Sequence, residues 1–532
     1  MPFRYEQNVE SEDGNNVYLT IDETIQSICE KYMQKGVEDN NVLNKGVCIA
    51  MDVNTGAILA MVTTDGYDLN NPYELSAKDK KKIKSTPKKK QAEAESAALS
   101  NMWRNKAVAD TYMPGSVFKM CVASAALEEN LVNEKTSFTC TGSISVEGET
   151  IHCSNISGHG TQNFVEVISN SCNPAFIQIG QMLGAGKFRQ YYQGFGFSDK
   201  TGIDLPGEAE DSFWKEGKMG GVDLAVASFG QNFTITPIQM ITACAAVSNG
   251  GYVVQPHVVS KITDSKGNVI KTVDKKIKRQ VISDDTSKKM NEYLEYNTER
   301  QGAAAGYISG YKVAGKTGTT EKRGVTKFES SFSEDYISSH SAVMLPADDP
   351  QIAMLVFFDT PDGDAYYGSQ VSSPVFINIM SEVLPYLDVK TSYTDEELGY
   401  VDASAGDYTG VSVDEAKTAV EADGFTATVK GNGSTVISQI PTVSSGLQKG
   451  GSIVLYTDSN SQSETVSVPS LIGLSPDEVN DVASAYGLNV SFSGATTSSG
   501  TSSSQNVEAG TSVSPGTVIT VSFADSSSTL NE

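Results

Sequence analysis

Apolar positions along this chain fall into strand-like and helix-like runs, and their order sets the first expectations. NNVYLTIDETIQSICEKYM starts as a strand and passes into a helix opened by Asp22, and VCIAMDVNTGAILAMV reads as two strands around a turn at Asn54–Gly56. Strand and helix patterns then alternate in mixed order as far as VSSPVFINIMSEVLPYL, near residue 388, which predicts an α/β or α+β domain. Beyond it a pattern recurs. GVSVDEAKTAVEADGFTATV (410–429) aligns with GLSPDEVNDVASAYGLNVSF (473–492) at an offset of 63, with Gly410 over Gly473 and Gly424 over Gly487. Gln439 and Gln505 each precede a glycine-containing turn and an apolar strand, GSIVLYT and TVITVSF. Each unit predicts one helix and a three-stranded sheet in about 60 residues. The tract GATTSSGTSSS (494–504) is expected to be a flexible loop inside the second unit.

Length and charge sharpen this picture. A chain of 532 residues is too long for one core, so two to four domains are expected. A formal net charge of −25 argues against a nucleic-acid binder. Residues 391–532 hold 17 Asp and Glu against three lysines (Lys417, Lys430, Lys449), net −14, and that shift marks a boundary. The densest basic tract is AKDKKKIKSTPKKK, eight lysines between 78 and 90, read as a solvated loop or helix end, with contact to an anionic substrate as the alternative. No apolar run approaches the roughly 18 residues that cross a bilayer. The start, MPFRYEQNVE, is polar and unlike a signal peptide, so the chain reads as soluble or as a soluble piece of something anchored.

Candidate chemistry begins at TYMPGSVFKM. Ser116 and Lys119 are three apart, which on a helix sets them on one face. A serine hydroxyl is a poor nucleophile until a base takes its proton, and a lysine whose pKa is lowered by burial or by a second cation is such a base. Pro114–Gly115 suits a tight helix entry, where the serine's own N–H is free to bind an oxyanion. The pattern S-x-x-K alone is weak, and Ser85–Lys88 and Ser212–Lys215 repeat it. Order and context raise it: Ser171-Cys172-Asn173 follows, and then Lys316-Thr317-Gly318 after a short apolar run, as on a strand. S-x-x-K, S-x-N and K-T-G together mark active-site serine β-lactamases and penicillin-binding proteins. A second triplet, Lys200–Gly202, lies between glycine-rich turns and reads as a loop.

On NVYLTIDETIQ, AMDVNTGAILAMV, YMPGSVFK, SCNPAF, GIDLPGE, SFGQNFTITPIQM, AGKTGTT and YYGSQVSSPVF, the chain resembles a class B penicillin-binding protein, a peptidoglycan D,D-transpeptidase similar to Gram-positive division or sporulation members. Its two C-terminal repeats resemble PASTA domains. Met113 departs from the glutamate usual before Pro-Gly-Ser. The resemblance implies a penicillin-binding transpeptidase fold, a mixed sheet flanked by helices, over 1–390, with 1–15 a remnant of a missing N-terminal pedestal. PASTA domains over 399–458 and 464–524 and a tail over 525–532 complete it. It implies that Ser116 attacks the carbonyl between two terminal D-alanines and Lys119 takes its proton. Ser171 and Lys316 relay a proton to the leaving D-alanine, and Asn173 holds the donor peptide. The N–H groups of Ser116 and Thr319 form the oxyanion hole, and Thr317, Gly318 and Thr319 line the substrate's carboxylate end. It also implies no catalytic cofactor, and peptidoglycan stem peptides and β-lactams as ligands. A membrane glycosyltransferase partner, no nucleic acid, and the extracytoplasmic membrane face, reached through an N-terminal helix absent from this chain, follow likewise. A serine β-lactamase or sensor, and a non-catalytic wall-binding protein, are the alternatives. No clear loop glutamate for rapid deacylation is present, and the intact Ser116, Lys119, Asn173 and Lys316 speak against a degenerate domain.

CTGSISVEGETIHCSNISGHGTQNFVEVISNSC (140–172) holds three of the seven cysteines and two of the four histidines. Cys140, Cys153, His159 and Cys172 make a Cys3His set, a normal tetrahedral zinc shell, with His152 the spare ligand. A Cys140–Cys153 disulfide across a GSISVEGET hairpin is the main rival, and unlinked thiols the third reading. Cys172 is the middle residue of the S-x-N motif. Some elongation-type relatives have a metal site in this segment, with different ligands. His257 and His340 read as structural or surface residues.

Overall fold

The computed structural model describes residues 13–64, 66–210, 212–308, 310–322, 336–390, 403–447, 450–494 and 500–525. Helix α1 (Glu23–Asp39) starts at Asp22, whose carboxylate accepts the N–H groups of Thr24 and Ile25 at 2.9 and 3.0 Å. Strands β1 (Lys45–Asp52) and β2 (Ile58–Thr63) follow. Their turn is closed by Asp52, which accepts from Asn54 and Thr55, and by Gly56 at φ 82°. A Cβ on Gly56 would lie 2.5 Å from the Gln255 carbonyl oxygen, so no larger residue fits. Helices α2 (Lys119–Glu128), α3 (Phe164–Ser169), α4 (Asn173–Gly194, broken at Gly184), α5 (Pro237–Ser248) and α6 (Asp284–Gln301) come next. Strands β3 (Ala314–Glu321), β4 (Tyr336–Leu345) and β5 (Ile352–Asp359) and helix α7 (Gly368–Tyr386) complete the large unit.

The sheet runs β3-β4-β5-β1-β2, and every neighbouring pair is antiparallel. This corrects the expected mixed sheet in one respect. Three of the four pairs, β1-β2, β3-β4 and β4-β5, join consecutive strands, where direct reversal gives antiparallel neighbours; the fourth, β5 with β1, joins strands from opposite ends of the unit and is antiparallel as well. The central strands are covered on both sides: β5 is buried at all eight positions. Alternation divides them between two cores. Val47, Ile49, Leu355 and Phe357 face a core shared with α2 and α5, while Cys48, Ala50, Val356 and Phe358 face one shared with α1 and α7. Between β2 and α2 stand helices Ala77–Ser85 and Gln91–Trp103, which bury no residue.

The recurring units fold alike. In the first, α8 (Val413–Ala422) packs with β6 (Thr426–Lys430), β7 (Ser438–Ile440) and β8 (Ser452–Tyr456) in sheet order β6-β8-β7. In the second, α9 (Pro476–Ala485) packs with β9 (Asn489–Gly494), β10 (Gly500–Gln505) and β11 (Val518–Asp525) in order β9-β11-β10. Both helices open on a capping box, Ser412 with Glu415 and Ser475 with Glu478. The matched glutamines are clamps: Gln439 accepts from the Tyr408 N–H at 2.8 Å and donates to the Gly406 carbonyl at 2.9 Å, and Gln505 donates to Val507 at 2.7 Å. The loop expected over 494–504 is corrected in part. Gly500–Gln505 is a strand against β11, and Ser502 is buried, accepting from the Leu474 N–H at 2.8 Å. Its serine-rich composition hides a strand whose pairing comes from the apolar partner; residues 495–499 lie outside the described residues.

Candidate active site

Ser116 sits in a 3-10 turn, Gly115–Phe118, and α2 starts at Lys119, so the pair spans a turn–helix junction rather than one continuous helix. The i,i+3 relation survives, because residues three apart eclipse in a 3-10 turn. Three chain-distant groups lock this turn. Gly115 has φ 58° and donates to the Gly230 carbonyl at 3.0 Å. A Cβ on Gly115 would lie 2.0 Å from Thr320 Oγ1, and one on Gly230 would lie 2.0 Å from the Gly115 carbonyl oxygen. Phe118 anchors the far side in an aromatic cluster, 4.9 Å from Phe233 and 5.3 Å from Phe197 between ring centroids.

The buried Lys119 Nζ lies 2.6 Å from the Ser171 carbonyl oxygen, 3.0 Å from Ser171 Oγ and 2.7 Å from Asn173 Oδ1, within hydrogen-bond reach of all three. Ser171 adopts φ 51°, a left-handed conformation costly for a residue with a Cβ, and these two bonds from Lys119 help hold it. Burial first, and then the charge of Lys316, push Lys119 well below the ordinary lysine range. Lys316 is buried too, and desolvation alone lowers it to about 8. On β3, Lys316, Gly318 and Thr320 are buried, while Thr317 and Thr319 alternate half-exposed on the other face. Thr319 Oγ1 accepts the Gly368 N–H at 2.9 Å. Lys200–Gly202, by contrast, lies in a loop.

Cys140, Cys153, His159 and Cys172 converge, with one ligand atom of each lying within 4.8 Å of all the others. The hairpin Ser143–Val146 with Glu149–His152 folds the segment back, and two glycines permit its crossing. A Cβ on Gly142 would lie 2.0 Å from the Ile156 carbonyl oxygen, and one on Gly158 would lie 2.5 Å from that of Cys140. Cys153 Sγ is 3.6 Å from His159 Nδ1. Hydrogen bonds from Cys172, from His159 and from the N–H groups of Asn155 and Asn173 lower Cys153 strongly, while Cys172, its proton shared with Cys153, is raised. Contact with Cys153 and Cys140 raises His159. The set fits a soft divalent cation: three sulfurs and one imidazole, screened from water, with helix-start N–H groups aimed at sulfur. His152 is exposed and outside the cluster, but its carbonyl accepts from Asn173 Nδ2 at 3.3 Å. His257 is buried, with Nδ1 3.4 Å from the Gln255 carbonyl oxygen. His340 is on β4 opposite Thr317, and its side chain lies outside the described residues.

Sequence reasoning did not assign Gly230 and Thr320 to the site, nor Asn297, whose side chain donates to the Gly315 carbonyl at 2.8 Å just ahead of Lys316. Two of the quoted segments, SFGQNFTITPIQM and AGKTGTT, carry Gly230 and Thr320, so a signal was present without a role attached.

Comparison with known proteins agrees with this architecture. The penicillin binding protein transpeptidase domain family matches residues 46–381, and the PASTA domain family matches 405–459 and 466–525. Stage V sporulation protein D of Bacillus subtilis (strain 168) is 31% identical over 473 residues, which cover 87% of this chain and 68% of that protein. Peptidoglycan D,D-transpeptidase FtsI of Escherichia coli (strain K12) is 26% identical, covering 72% of this chain and 58% of that one. The chain thus spans about two thirds or less of these relatives' lengths. The fold is shared with a peptidoglycan synthetase from Bifidobacterium adolescentis (TM-score 0.60, 24% identity, 72% of this chain and 63% of that one). It is also shared with the TP domain of Burkholderia pseudomallei penicillin-binding protein 3 (TM-score 0.55, 24% identity, 71% and 98%). The matched span, the convergence of the three motifs and the paired C-terminal units lead to one assignment: the chain belongs to the penicillin-binding protein transpeptidase family and carries two PASTA domains.

Proposed function

We propose that the chain is a serine-type D,D-transpeptidase that cross-links peptidoglycan stem peptides and is inactivated by β-lactams. The observation that carries this is the environment of Lys119, buried between Ser171 and Asn173 with Lys316 near enough to oppose its charge. Lys119, held toward its neutral form, takes the Ser116 proton as the serine oxygen attacks the carbonyl between two terminal D-alanines. The N–H groups of Ser116 and Thr319 stabilise the oxyanion. Ser171 and Lys316 deliver the proton to the departing D-alanine, Asn173 holds the donor backbone, and Thr317 and Thr319 meet the terminal carboxylate. An amine of a second stem peptide then releases the acyl-enzyme. The enzyme acts at the extracytoplasmic membrane face beside a glycosyltransferase. The test supplies a D-Ala–D-Ala stem peptide and an amine acceptor and follows free D-alanine and the cross-linked product. Lys119→Ala should lower the rate by about 10²–10⁴-fold, and a loss under about tenfold would contradict the base role.

The cysteine cluster is read as a structural zinc site of Cys140, Cys153, His159 and Cys172. Support comes from the convergence of all four ligand atoms, where a Cys140–Cys153 disulfide would use only two of them. When bound, the metal supplies no chemistry to acyl transfer; it fixes the segment. Asn173 both donates its N–H to Cys153 and hydrogen bonds Lys119, so that segment and the catalytic lysine share a residue.

A further inference from the structure

Two helices stand outside everything the catalytic unit uses. Ala77–Ser85 and Gln91–Trp103, joined through a 3-10 turn at Lys88–Lys90, bury no residue and pack on each other, with Ile83 and Leu99 half-buried. Lys78, Lys80, Lys81, Lys82, Lys84, Lys88, Lys89 and Lys90 are all exposed. Among the described residues, Lys80 alone of these makes an ion pair, with Glu74. Lys78 and Lys82, Lys80 and Lys84, and Lys81 and Lys84 are like-charge neighbours at helical spacing, which opposes the helix. The hairpin therefore adds nothing to a core and concentrates repulsion. It does so on a chain of net charge −25, whose general surface repels anions, so it is a local reversal of the field.

We propose that this hairpin is a docking surface for a soluble polyanion with repeated phosphate charges. All eight lysines are exposed, and lysine offers a compact, mobile charge without the fixed fork that selects one small ligand, so a flexible chain of charges suits them. A lipid surface suits them less, because an interfacial helix needs an apolar face beside its basic one. The only large apolar residue of 77–90 is Ile83, which is already half-buried. Tyr73 and Trp103 pair edge to face at 5.3 Å, and Trp103 donates to the Pro72 carbonyl at 2.6 Å, which ties these rings to the hairpin's root. Fluorescently labelled linear polyphosphate and the full chain test this by anisotropy. If roughly five lysines engage, affinity should fall on the order of 100-fold between about 50 and 200 mM salt. The variant K81Q/K82Q/K88Q/K89Q/K90Q should bind at least about tenfold more weakly while keeping its melting temperature and penicillin labelling. K275Q/K276Q, which removes two exposed lysines elsewhere, should bind like the wild type. No binding at 50 mM salt, or equal loss in both variants, overturns the proposal. So does capture by phosphatidylglycerol vesicles without polyphosphate binding, which would make the surface a lipid contact instead.

Discussion

Lys316 is a buried amine whose charged form is penalised by desolvation. Its folded pKa, about 8, lies below the unfolded value near 10.4. Between those values the unfolded chain binds more protons, so wild-type stability rises with pH across that window, and below about 8 the full penalty is present. Lys316→Met should therefore be more stable than wild type at pH 7, by up to about 3 kcal/mol, with the gap closing toward pH 10, while acylation is lost. Urea midpoints of both proteins at the two pH values check this, and a gap that stays constant or widens contradicts it. Ser116, Lys119, Ser171, Asn173 and Lys316 were legible in the sequence because each motif is local and spaced by two or three residues. The contact of Gly115 with Gly230 and Thr320 was not, because it joins positions 115, 230 and 320, which only the fold brings together.

At the scale of elements, the segment 140–172 ends at Cys172, the N-cap of α4, and that helix start connects cluster to site. Its unpaired N–H groups would otherwise need water or a cap; here those of Asn173 and Ala175 meet the sulfurs of Cys153 and Cys172. That Cys140, Cys153, His159 and Cys172 could come together was readable from their clustering in the sequence and from the glycines that let the segment turn. The N–H contacts to sulfur were not, since they depend on where the helix begins. A structural zinc can be worth on the order of 10 kcal/mol in small domains, and on the proposed reading a fraction of that would be enough to decide how this segment is held. Strong chelation, or Cys153→Ser, should lower the melting temperature and slow acylation together, and added zinc should reverse chelation. Metal analysis should find one zinc per chain. Less than about a tenth of an equivalent, with two thiols missing in denaturant, would establish the disulfide instead.

At the scale of the whole molecule, the two PASTA units are fastened to each other. The Asn489 side chain accepts from the Ser452 N–H at 2.9 Å and returns a bond to the Ser452 carbonyl at 2.9 Å. Strands β9 and β11 also lie against the 3-10 turn Gly302–Ala305 of the large unit. None of the catalytic motifs is on either unit, so residues 1–390 should acylate at close to the full-length rate. A truncated chain that folds but no longer acylates would show that this contact is coupled to the site. The second repeat has no Lys or Arg over 467–523, which leaves charge-driven binding of anionic polymers to other parts of the chain. The repeat itself was legible because its capping boxes and glycines recur in register, whereas β10 was hidden by serines.

The most direct measurement is the intact mass of the protein after benzylpenicillin treatment, followed by peptide mapping. One stable adduct per chain on the peptide bearing Ser116, absent from a folded Ser116→Ala, is the expected result. An adduct that persists in Ser116→Ala, rapid turnover of the antibiotic, or no adduct on folded protein would contradict the assignment of Ser116 as the acylated nucleophile of a transpeptidase.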